Sequence, residues 1–161
     1  MTIAVFPAPK HVRDLLTDLL GRDVTVGTGT PVASTKARPA AIAVFVDDMM
    51  RTIAVSLLDL PLCGAIGGAL GLLPVAGVNQ MVEDKDLSET LLENLYEVVN
   101  ILSVLFNVPG SPHAKLHKLY APGEALPPDV RAYASALGFR IDLDVGVAGY
   151  GNGRLSIVAL A

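Results

Sequence analysis

The apolar positions of this chain change period several times, and each change marks an element. In Lys10–Leu20, "KHVRDLLTDLL", Val12, Leu15, Leu16, Leu19 and Leu20 share one helical face between Pro9 and a stop at Gly21. "DVTVGTGTPVAST" alternates and is rich in β-branched residues, which predicts one or two short strands broken at Gly-Thr-Gly-Thr-Pro. Ala40–Val46, "AAIAVFV", and Arg51–Leu57, "RTIAVSL", are strand-length apolar runs flanking "DDMM", a turn of hairpin length. The uncharged run Leu60–Val78 follows. Pro61 and Pro74 bound a short buried helix of about 12 residues within it, and a loop is expected from there through Asn79.

Asp86 and Glu89 occupy N-cap and N3 positions, an aspartate form of the capping box, and open a helix expected to reach about Phe106. Its core stripe is Leu91, Leu95, Val98, Leu102 and Leu105, widened by Leu92, Val99 and Phe106. Glu89, Glu93, Glu97, Asn100 and Ser103 fall on the opposite side. "NVPGSP" ends the helix. "AKLHKLYAP" then reads as a strand, and "PPDVRAYASA" as a short helix starting at a proline. "FRIDLDVGV" and "RLSIVAL" read as two strands joined by the glycine-rich loop "AGYGNG". Strands joined by hairpins, with long helices between them, predict an α+β fold: a largely antiparallel sheet with the helices packed on a face. The 161 residues suit a single domain, 1–161, without internal repeat or low-complexity linker.

Composition narrows the function classes. Hydrophobic residues make up 52% and charged ones 17%, which excludes a disordered chain. A net charge of −4 argues against nonspecific nucleic-acid binding and against anionic membrane surfaces. The chain has no tryptophan and few aromatics, so a base-stacking platform is not expected. A helix confined between Pro61 and Pro74 is about 18 Å long, short of the roughly 30 Å of a bilayer core. Gly64/Gly68 and Gly67/Gly71 match the small-xxx-small pattern and let that helix lie close on a sheet or on a twin helix. The opening "MTIAVFPAPK" lacks a basic n-region, so no secretory leader is expected. The lone Cys63, in "LPLCGAIGG", excludes an internal disulfide and reads as a buried, inert thiol of a cytoplasmic protein.

Most candidate motifs have a structural explanation. "GTGT" and "GYGNG" lack the context of a phosphate loop and read as turn glycines. His113 and His117 are four apart, but the surrounding alternation predicts a strand and no neighbouring carboxylate or cysteine completes a metal shell. Asp47 and Asp48 suit a turn through their own side-chain hydrogen bonds. Asp142 and Asp144 alternate with Ile141 and Leu143 as on a half-solvated strand. Glu97 and Asn100 are less easily absorbed. An exposed helix face accounts for both, yet asparagine is a poor mid-helix residue. Its amide, one turn after a carboxylate, presents one donor and one acceptor in fixed directions.

With these residues located, the chain resembles the CheX/CheC family of chemotaxis phosphatases, and more closely the single-copy CheX type. Glu97-Val98-Val99-Asn100 matches the family's Glu-x-x-Asn core, and Pro122 in "LYAPGEAL" falls within a residue of the family's proline. The order of elements matches over most of the chain. Glu93 stands where the family usually has Asp or Ser, and Val99 and Ile101 flank Asn100 where the family is glycine-rich. The resemblance implies a CheC-like fold and hydrolysis of the aspartyl phosphate on a CheY-like response-regulator receiver domain. Asn100 would position the attacking water and Glu97 would pair with the receiver's active-site lysine, with Glu93, Glu89 and Ser103 contacting the partner. The resemblance also implies a homodimer, and no cofactor on this chain, because Mg²⁺ would belong to the receiver. A non-catalytic member of the same fold, docking a receiver or another partner without hydrolysis, is the second reading, and Glu93 and Val99 favour it.

Overall fold

The structure is a computed structural model that describes residues 7–137 and 139–160. The opening residues 1–6, on which the leader reading largely falls, lie outside the described residues. Among the described residues, six strands form one sheet in the order β1-β5-β6-β3-β2-β4, and every neighbouring pair is antiparallel. The strands are β1 (Val24–Thr28), β2 (Ala41–Val46), β3 (Thr52–Leu58), β4 (Lys115–Tyr120), β5 (Arg140–Val147) and β6 (Gly151–Ala159). The helices are α1 (Pro9–Leu20), α2 (Leu60–Leu70), α3 (Val75–Asp84), α4 (Glu89–Leu102) and α5 (Pro128–Ala134), with a 3-10 turn at Ser103–Phe106 after α4. The α+β architecture expected from the sequence is the one observed.

The sheet is covered on both faces. On one, Ala43, Phe45, Leu58, Val145 and Ile157 pack against α1, α2 and α4. On the other, Ile42, Val44, Val55 and Leu57 meet Val32 of the 29–40 loop and Val130 of α5. All six residues of β2 are therefore buried, which is why "AIAVFV" reads as an unbroken apolar run rather than an alternation. The expectation of helices on a face omitted this second layer. Asp142 reflects it too: its half-buried side chain accepts hydrogen bonds from Arg140 Nη2 at 2.9 Å and Ser156 Oγ at 2.6 Å. Ser156 Oγ in turn accepts from the Val32 backbone N–H at 2.9 Å, tying the loop to the sheet. Asp144, by contrast, is exposed.

Two local readings need correction, and one helix explains both. The segment after Pro74 is not a loop through Asn79 but α3, whose only fully buried residue is Val78. Its sequence stripe is too thin to announce a helix; Val78 and Val82 hold it by lying over Gly64 and Gly68 of α2. Its end is a Schellman turn. Lys85 takes a left-handed φ of 55° and donates its N–H to Val82 O, while Asp86 N–H donates to Met81 O at 3.0 Å. Asp86 therefore closes α3 and does not open α4. The N-cap of α4 is Ser88, whose Oγ accepts from Leu91 N–H at 3.2 Å. The β5–β6 turn follows expectation, with Gly149 and Gly151 at φ 83° and 107°.

Candidate functional site

The candidate site is the outer face of α4. Its inner face is fixed by Leu91, Leu95, Val98, Val99 and Leu102, all buried. It lies close on α2, where a Cβ built at Gly67 would stand 2.9 Å from the Leu91 carbonyl oxygen. Asn94, which the sequence reading did not single out, donates from Nδ2 to Gly67 O at 3.0 Å across that contact. Its signal was present: a second asparagine in the helix, off the carboxylate stripe, needs a backbone partner when it points toward a neighbour.

Glu89, Glu93, Glu97 and Asn100 are all exposed, and among the described residues their side chains have no hydrogen-bond or ion-pair partner. Glu97 and Asn100, three apart, place their Cβ atoms roughly 5–6 Å from each other. Ser103 is half-buried, and its Oγ donates to the Asn100 carbonyl oxygen at 2.7 Å, where the helix tightens into its 3-10 turn. Val99 is 0% exposed, so its bulk lies in the core and not on the surface that presents Asn100. Ile101 is half-buried. Tyr96 and Val104, each four positions from Asn100 along the helix, are 47% and 56% exposed. The face thus combines a free carboxamide and a free carboxylate with two apolar side chains. Pro122 lies in the turn after β4, where Glu124 N–H donates to Ala121 O at 3.0 Å.

The other sequence candidates resolve structurally. His113 approaches Asp48 at 3.2 Å, and His117 is exposed at an irregularity of β4. There Val44 pairs with Lys118 but Phe45 with Leu116, leaving His117 as the extra residue of a bulge. Among the described residues no group of three or more His, Cys, Asp or Glu is placed to hold a metal ion. Cys63 is fully buried, and burial pushes its thiol up to about 12. Gly64, Gly67, Gly68 and Gly71 do not await a twin helix. A Cβ on them would meet, respectively, Val82, Leu91, Val78 and Asn94 of this same chain. No helix among the described residues is long and apolar enough to cross a membrane.

No protein-family model matches the sequence, and no curated protein matches it. Solved structures do. A chain of the FliM–SpeE complex from H. pylori is similar over 94% of this chain and 80% of that one, at 10% identity and a TM-score of 0.61. FliY from Thermotoga maritima is similar over 92% of this chain and 82% of that one, at 15% identity and a TM-score of 0.56. The FliM middle domain from H. pylori is similar over 94% of this chain and 84% of that one, at 10% identity and a TM-score of 0.56, so the chain has the fold of the FliM middle domain and FliY. CheX and CheC-like superfamily proteins are also among its structural neighbours. One is the CheX–CheY–BeF3–Mg²⁺ complex from Borrelia burgdorferi, at 11% identity, 92% coverage of each chain and a TM-score of 0.49.

Proposed function

We propose that this chain is a phosphatase for the aspartyl phosphate of a CheY-like receiver domain, acting through the outer face of α4. The observation that carries the reading is that Asn100 and Glu97 are exposed and unpaired within the described chain, on a helix whose other side is anchored in the core. An aspartyl phosphate on a receiver already has a good leaving group and a metal ion, so the remaining task is to place water in line. A carboxamide does this with one donor and one acceptor and requires no shifted pKa. Glu97 would pair with a lysine of the receiver's site and so set the register of docking. Glu93 and Glu89 extend the same acidic edge, while Tyr96 and Val104 supply apolar contact beside it. Ser103 would act mainly by holding the end of the helix, since its hydroxyl hydrogen is spent on Asn100 O. The resemblance also brings a homodimer into this proposal, without help from the α2 glycines.

The second reading is a docking protein without turnover. It is favoured by neighbours whose structures are complexes with other proteins, FliM with SpeE and FliM with FliG, at TM-scores of 0.61 and 0.54. One experiment separates the two. The protein is added to a panel of phosphorylated receiver domains and phosphate loss is followed. The phosphatase reading expects faster loss with at least one receiver, reduced at least 100-fold (about 3 kcal/mol of transition-state stabilisation) by Asn100→Ala. Saturable binding with no acceleration would leave the docking reading standing and remove the enzyme.

A further inference from the structure

A different part of the molecule holds a second candidate site. The 29–40 loop, the start of α2 and the end of α3 line an open hollow of about 330 Å³, within the size range of small-molecule sites. No residue of α4 lines it. Its apolar wall includes the buried Val32 and Leu60, with Pro61 and Val82 beside them. Three basic residues, Arg38, Lys85 and Arg154, line the same hollow, against the single acidic residue Asp59. This local excess of positive charge stands out in a chain whose net charge is −4.

The charges are not equally committed. Asp59 is occupied: its Oδ1 accepts from the backbone N–H groups of Leu62 and Arg154, each at 3.0 Å, and its Oδ2 lies 3.4 Å from Arg154 Nε. Arg154 Nη1 also donates to Thr30 Oγ1 at 2.6 Å. Lys85 Nζ donates to Ala37 O at 2.6 Å, which ties the end of α3 to the loop and leaves two ammonium protons for another acceptor. The Arg38 backbone N–H donates to Thr35 Oγ1, but its guanidinium has no hydrogen-bond or ion-pair partner among the described residues. Cations scattered over a surface are ordinary. These three come from different elements and surround an apolar hollow, which is the arrangement that recognises an anionic head on an apolar body.

We propose that this cavity binds a small amphipathic anion, a carboxylate or phosphate head held by Arg38 and Lys85 with its apolar body against Val32, Leu60 and Val82. Occupancy would join the loop, α2 and α3 through one ligand. The test is a titration of the ¹⁵N-labelled protein, followed by amide shifts, with hexanoate, hexyl phosphate, acetate, inorganic phosphate and the neutral hexanamide. Hexanoate or hexyl phosphate is expected to move amides around Val32, Leu60 and Lys85, and to bind at least tenfold more tightly than acetate or phosphate. The tighter of the two heads identifies the anion class. Arg38→Gln and Lys85→Gln, both at exposed side chains, should each weaken binding about tenfold, and Arg38→Gln, whose side chain has no partner to lose, should leave the unfolding midpoint in place. Hexanamide binding as well as hexanoate, shifts spread over unrelated surfaces, or affinity unchanged in both variants would overturn the proposal.

Discussion

Ser56 lies on β3 with 1% of its surface exposed, and its hydroxyl has no hydrogen-bond partner among the described residues. A buried orphan hydroxyl costs stability, so Ser56→Ala is expected to be neutral or stabilising by up to about 1 kcal/mol in urea denaturation. A clear loss instead would reveal a partner for Oγ. Asp47 is the opposite case. Its carboxylate accepts from Arg51 N–H, Met49 N–H and Arg51 Nε, each at 2.9 Å. The Arg51 backbone bond is the main cause holding its pKa below the ordinary aspartate value, with burial working against it. Because the folded pKa is lowered, Asp47 stabilises the fold above the unfolded-state value, and that contribution is lost as pH falls through the folded one. Thermal unfolding between pH 2 and 6 should therefore show a shallower acid limb for Asp47→Asn than for the unchanged protein. At this scale the sequence foresaw the turn role of Asp47 and the inert Cys63, because both follow from local composition. It did not foresee the partner of Asp142, Ser156, which lies on the neighbouring strand.

Among the elements, α2 depends most on its glycines. At Gly67 an added methyl would meet the Leu91 carbonyl oxygen at 2.9 Å and its side chain at 3.0 Å, so Gly67→Ala is expected to cost about 1–3 kcal/mol. Gly77, on exposed α3, has nothing within 4 Å of a built Cβ and no positive φ. Gly77→Ala should raise stability by about 0.5–1 kcal/mol, since alanine loses less backbone freedom on helix formation. Urea midpoints of the pair check both signs, and equal shifts would contradict the packing described for α2. The β2–β3 hairpin, α1 and α5 were legible because each carries its own period and its own stop. The helix α3 was not, because it owes its stability to the contacts of Val78 and Val82 with α2 rather than to an apolar stripe.

For the molecule as a whole, the sheet and its two layers make α4 a helix with one anchored side and one free side. Stability and the proposed activity should accordingly separate. Asn100→Ala and Glu97→Gln, which remove no side-chain hydrogen bond or ion pair among the described residues, are expected to leave the unfolding free energy within about 0.5 kcal/mol while phosphate release falls. An Asn100→Ala protein that lost activity only by unfolding would remove the docking face from consideration. The carboxylate stripe itself was readable from spacing alone. So was the inward turn of Val99, already part of the core stripe, whereas the exposure of Tyr96 and Val104 beside Asn100 depends on how α4 is rotated against α2.

By itself the sequence determined the number and kind of most elements, the inner stripe of α4 and the polar identity of its outer edge. These are properties of residues a few positions apart, where period and capping act. Only the tertiary structure decided the strand order, the second covered face, the assignment of the α2 glycines to α3 and α4, and the meeting of Arg38, Lys85 and Arg154 around one hollow. Those depend on contacts between residues far apart in the chain, which no local pattern of apolar and polar positions specifies.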